Sequence, residues 1–124
     1  MSKSRQIAEK RGRMAEKLVA LRLRLNGWKP LKLRYRCPYG EIDLIMQKPG
    51  KLLFVEVKYT SQASDDELEK VLPQARQQRR IYDTAQHFLS TYPELSQVEM
   101  QLFIALVRPY GRIKFIDGHF FDMI

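Results

Sequence analysis

The sequence predicts a mixed α/β domain, a central sheet flanked by helices in the order helix, three strands, helix, two strands. Three observations lead there. Apolar residues recur at helical spacing from about Arg5 to Asn26, and again through Ile81, Ala85 and Phe88. Two short apolar runs, 41–47 and 52–60, flank Lys48-Pro49-Gly50-Lys51, a hairpin signal. Two further runs, 98–107 and 113–121, are joined by a turn at Pro109-Tyr110-Gly111. With 124 residues and no repeat, linker or low-complexity stretch, one domain over 1–124 is expected.

In the first helix Met14, Leu18, Leu21 and Leu25 recur at spacings of 4, 3 and 4, and Gly27 stops the pattern. A shorter apolar row, Val19 and Leu23, lies on the opposite side and includes Glu16. Leu31, Leu33 and Tyr35 alternate with Lys32, Arg34 and Arg36, which reads as a half-exposed strand carrying basic side chains. Ser64-Asp65-Asp66-Glu67 reads as a capped helix start, Pro73 as a kink or restart, and Tyr92-Pro93 as the helix end.

Composition narrows the function classes. The net charge is +8, and residues 1–36 hold 12 of the 22 Lys and Arg against only Glu9 and Glu16, a local +10. Such a concentrated positive field suits a polyanion such as DNA or RNA, because neutralised phosphates release counterions. Arg22, Arg24, Lys32, Arg34 and Arg36 are the expected nucleic-acid contacts. A membrane surface fits less well, since the basic helix lacks a Trp and Phe face. Cys37 is the single cysteine, read as an inert thiol, so disulfides and cysteine-based zinc clusters are excluded. The charged N-terminus has no signal-peptide pattern and no window is long and apolar enough to span a membrane, so a cytoplasmic protein is expected.

Chemistry is suggested by the hairpin register. With Pro49 and Gly50 at the centre of the turn, Lys48 pairs with Lys51 and Asp43 falls opposite Glu56. Alternation then puts Glu41, Asp43, Phe54, Glu56 and Lys58 on one face, and Ile42, Leu44, Met46, Leu53, Val55 and Val57 on the other. Opposed carboxylates repel each other unless a cation lies between them. Mg²⁺ or Mn²⁺ could take oxygens from Asp43, Glu56 and the Val57 carbonyl, leaving positions for water and a substrate phosphate. Lys58 could hold the attacking water or stabilise the transition state. An acid two residues before a lysine occurs about once by chance in such a chain, so the register carries the weight. A solvated ladder of ion pairs is the competing reading. His87 and His119 read as surface or packing residues.

Gly40-Glu41-Ile42-Asp43-Leu44-Ile45 followed by Phe54-Val55-Glu56-Val57-Lys58 resembles the signature of the bacterial YraN family, within the PD-(D/E)XK nuclease superfamily and similar to Holliday-junction resolvases. The resemblance spans nearly the whole chain and implies a restriction-endonuclease-like fold, with Asp43, Glu56 and Lys58 at catalytic positions. Ala15-Glu16 with Gly27-Trp28 resembles the family's first-helix pattern, which makes Glu16 an accessory acid. Gln77 falls where the family usually has Lys, and Gln101-Leu102-Phe103 stands for its Arg-Phe-Asp. The implied activity is metal-dependent cleavage of DNA, including branched or recombination intermediates, and the implied assembly is a homodimer. Two other readings compete: a nucleic-acid-binding module that keeps the fold without catalysis, and a basic helix that docks an acidic protein surface.

Overall fold

The computed structural model describes residues 2–61 and 73–118. Helix α1 spans Lys3–Leu25, followed by strands β1 (Lys29–Cys37), β2 (Gly40–Lys48) and β3 (Lys51–Tyr59). Helix α2 (Ala75–Ser90) leads through a short 3-10 turn to β4 (Glu99–Val107) and then β5 (Ile113–Asp117). This is the predicted order of a mixed α/β domain. The strands form one sheet in sequence order. Among the described strands only β3 and β4 run parallel, and a parallel pair needs a crossover, which includes α2.

Local chemistry accounts for the element ends. Ser2 caps α1, its hydroxyl oxygen accepting the Arg5 N–H. Gly27 ends it with φ +92, a left-handed value that glycine adopts without a Cβ penalty. The turn between β2 and β3 has Pro49 first and Gly50 second, with Gly50 at φ +76 and Lys48 paired to Lys51. That is the residue order of a type II turn. Pro73 precedes an extended Gln74, and the second helix begins at Ala75. The expected cap at 64–67, His119 and the end of the last predicted strand lie outside the described residues.

A helix covers each face of the sheet. Ala15, Val19 and Leu23 of α1 pack on Leu44, Met46, Leu53, Val55, Ala105 and Val107. Ile81, Ala85 and Phe88 of α2 pack on Ile42, Ile45, Leu52, Phe54 and Leu102. The shorter apolar row of α1 is therefore the buried one, while Met14, Leu21 and Leu25 stay exposed.

The face assignment expected from strict alternation needs correction. Phe54 does not share an open face with the acids; it lies under α2, because both faces of the central hairpin are core. Ile42 does not share a face with Leu44. Ile42 and Ile45 both pack toward α2 while Leu44 packs toward α1, so alternation breaks around Asp43. The neighbouring strand breaks at the same level. Leu33 pairs with Leu44 and Tyr35 with Ile42, but the pairing skips Arg34, which sits at φ +54. Leu31 and Tyr35 pack toward α2, whereas Leu33 is 63% exposed and lines a hollow against Ala20 of α1. A non-glycine residue at positive φ costs free energy and persists only where its surroundings hold it.

Candidate functional site

The two central strands follow the predicted register from Lys48–Lys51 to Leu44–Val55 and then stop pairing with each other. Beyond that point β2 continues against β1 as far as Gly40, and β3 against β4 as far as Tyr59. The sheet therefore forks, and Asp43 and Glu56 are the first residues past the last pair. In the fork their carboxylates take over as acceptors for backbone donors. The Val57 N–H donates to Asp43 Oδ2 at 2.8 Å, and the Asp43 N–H donates to the Glu56 carboxylate. A buried N–H left without an acceptor is costly, so these contacts fix both side chains where the ladder ends.

Electrostatically the fork is unusual. Glu56 is 9% exposed and pairs across β3 and β4 with the fully buried Ile104. Burial and the nearby Asp43 charge push its carboxyl up to about 8, against the opposing pull of Lys58 and the Asp43 N–H. Asp43 is also raised, first by burial and then by Glu16 and Glu41, while the Val57 N–H and Lys58 lower it. Lys58 thus lies within electrostatic reach of both acids. Asp43 is also within reach of Glu16 on α1, the helix that covers Leu44 and Val55.

Two other acids in this region already have cations. Arg34 Nε lies 2.9 Å from Glu16 Oε2, and Arg36 Nε lies 3.0 Å from Glu41 Oε2. Lys58 lies within reach of both Asp43 and Glu56, and Arg34 is also within reach of Asp43, so the cluster of four acids, two arginines and one lysine has a formal charge of −1 when fully ionised. Among the described residues no group of three or more His, Cys, Asp and Glu forms a metal-ligand cluster. The donor set fits a hard divalent cation nonetheless. Two carboxylates whose pKa values are both raised by burial gain from a cation between them, and Mg²⁺ usually keeps waters and takes only one or two carboxylates. Mn²⁺ would suit the same oxygen donors. The described contact of Val57, the third expected ligand, is its N–H on Asp43.

The other predicted residues divide into two groups. Glu16, Arg34 and Arg36 line one open depression of about 320 Å³ together with Glu9, Gly12, Arg13 and Glu41. Arg13 was missed, although its position one turn before Glu16 places it on the same helix side. Lys32 lies on exposed β1, opposite Ile45. Arg22 and Arg24 stand in the last turn of α1, more than a turn beyond Glu16. Gln77 is on the row of α2 that faces the sheet, one turn before Ile81, and among the described residues its side chain makes no hydrogen bond to the two acids. His87 has a packing role: its Nδ1 is 2.6 Å from Tyr35 Oη, and its ring lies against Tyr39. Cys37 ends β1 as a free, half-buried thiol. No helix among the described residues is long and apolar enough to cross a membrane.

Known proteins are similar to this chain in sequence. Residues 15–117 match the model of the uncharacterised protein family UPF0102. A UPF0102 protein of Synechococcus sp. (strain JA-3-3Ab) is 40% identical over 96 residues, covering 77% of this chain and 72% of that protein. UPF0102 protein BRADO0179 of Bradyrhizobium sp. (strain ORS 278) is 41% identical over 108 residues, covering 87% and 74% respectively. The matched span runs from the buried start of α1 to the end of β5 and includes the whole fork, so the chain belongs to the UPF0102 (YraN) family.

Proposed function

We propose that this protein is a metal-dependent endonuclease that hydrolyses phosphodiester bonds in DNA, with branched or recombination intermediates as candidate substrates. One observation carries the reading: a buried carboxylate, a half-buried one and a lysine come within electrostatic reach of one another where the central hairpin stops pairing. A sheet with no chemical role would close that fork with backbone hydrogen bonds and apolar side chains. Burying two ionised acids there costs free energy that a bound cation can recover.

Asp43, Glu56 and the Val57 carbonyl would hold the divalent ion, and Glu16 would act as an outer acid through its reach to Asp43. When bound, the metal supplies an activated water and neutralises charge developing on the phosphate. The chain's own residues do the rest. The Val57 and Asp43 N–H groups hold the two carboxylates in place before substrate arrives. Lys58 brings an ammonium to the same spot, where it can orient water or stabilise the developing oxyanion. Gln77 takes the family's lysine position by resemblance. Arg34, Arg36 and Arg13 line the depression beside the site and can meet backbone phosphates, which position DNA without reading sequence. Lys32, Arg22 and Arg24 extend the basic surface. A homodimer would present two such sites to two strands.

The test is incubation of wild type, Asp43→Asn and Lys58→Ala with linear, flapped and four-way DNA in Mg²⁺ and Mn²⁺. Wild type should cut at least one of these, and both variants should not. Cleavage that survives in Lys58→Ala would place the activity elsewhere. Binding without any cleavage would favour the non-catalytic module. DNA affinity should also fall steeply with salt, and Arg36→Glu should reduce the log-log salt slope by about 1.

A further inference from the structure

Helix α1 carries two apolar rows, and the core uses one of them together with Leu18 of the other. The other row, Ile7, Met14, Leu21 and Leu25, is between 51 and 77% exposed. Together with the partly buried Leu18 it follows a heptad frame, in which Ile7, Met14 and Leu21 take d positions and Leu18 and Leu25 take a positions. In that frame every g position is basic: Lys3, Lys10, Lys17 and Arg24. The N-terminal part of α1 is also poorly covered. From Lys3 to Met14 every residue except Gly12 is exposed in the described structure, and a three-turn helix in water is marginal by itself.

We propose that this outer seam of α1 docks an amphipathic helix with acidic flanks, supplied by a different protein. Exposed leucines at coiled-coil spacing fit the apolar stripe of another helix, and the row of lysines beside them fits carboxylates. A second copy of this chain fits poorly. Antiparallel pairing would set the g-position lysines against each other, and parallel pairing would set Lys17 against Arg22. An anionic lipid surface would be met without Trp or Phe on the apolar side, and a phosphate backbone offers nothing to leucines. Glu16 occupies an f position, opposite the seam, so docking leaves the fork open together with Arg34 and Arg36 beside it, and of the basic surface it takes up Arg24. This inference stands independently of the nuclease reading.

The test uses the whole chain and a labelled synthetic peptide of about four heptads with Leu at a and d and Glu at e and g. A control peptide carries Lys at e and g. Fluorescence anisotropy at low salt should show binding of the acidic peptide and much weaker binding of the basic one. Leu21→Glu should weaken acidic-peptide binding about tenfold or more, as expected for losing a buried leucine contact. The Lys17→Glu, Arg24→Glu double variant should reverse the preference between peptides, and it keeps the test valid if Leu21→Glu fails to fold by circular dichroism. Equal binding of both peptides, or of neither, overturns the proposal. So does a dimer that sedimentation equilibrium finds in wild type but not in Leu21→Glu. So does co-sedimentation with phosphatidylserine-containing vesicles that depends on Leu21.

Discussion

The two ends of the β2–β3 hairpin are built from the same two strands by different means. At the closed end, Lys48–Lys51 to Leu44–Val55 pair without interruption, and Leu52, Leu53 and Phe54 are buried against one helix or the other. At the open end the pairing stops, alternation breaks, and carboxylates serve as backbone acceptors. The closed end is stabilised by apolar burial and a regular ladder. At the open end both have been given up, and charge has been placed in a setting that disfavours it. Stability and chemistry are thus separated along one pair of strands, which substitutions can test.

The largest expected difference is in turnover. Lys58→Ala should lower cleavage by about 10²–10³-fold, the usual effect of removing one group that stabilises a transition state, while metal-induced stabilisation of the fold stays close to wild type. Asp43→Asn should remove that metal response as well. Asn keeps an oxygen for the Val57 N–H, whereas Asp43→Ala would relieve charge repulsion but orphan that donor. Thermal melts with and without Mn²⁺ separate the cases. If Lys58→Ala loses the metal response too, the lysine helps to shape the site and is not a chemical participant.

Leu53→Ala, at the closed end, should cost about 2–5 kcal/mol of stability by opening a cavity under α1, measured by denaturant unfolding. A loss well below that range would mean the core collapses around the gap and the closed end is less rigid than its packing indicates.

An effect of comparable size comes from pH at the open end. Folding raises Glu56 from 4.5 to about 8, so the folded state favours the neutral acid. Below pH 4.5 both states are protonated and nothing is lost. As pH rises from 4.5 to 8 the unfolded chain releases this proton first, and stability of the metal-free protein falls by at most about 1.4 kcal/mol per pH unit. Above about 8 the penalty is complete. Glu56→Gln should flatten that slope in unfolding curves taken across this range. Divalent metal, which favours the ionised pair, should stabilise wild type most at the alkaline end. A slope unchanged by Glu56→Gln would show that the side chain is better solvated than its position indicates.

The smallest expected change is at the tip of the closed end. Gly50→Ala should cost about 1 kcal/mol: a Cβ there meets nothing within 4 Å, so only the left-handed backbone is penalised. A cost near zero would show that the turn relaxes to another type without disturbing the register.

The sequence by itself determined the element order and the register that brings Asp43 and Glu56 together. Both follow from short-range rules, helical spacing on one hand and a Pro-Gly turn on the other. It also identified Glu16 as an acid on the Val19–Leu23 row. Which of the two α1 rows would be buried was not determined locally, because both have helical period, and the longer one stays exposed. The break at Asp43 and Arg34 was equally invisible, since alternation assumes an unbroken ladder. Only tertiary structure decided it. There β2 keeps its pairing with β1 and β3 keeps its pairing with β4 while the two central strands part. The backbone groups freed in that fork then take the carboxylates of Asp43 and Glu56 as their partners.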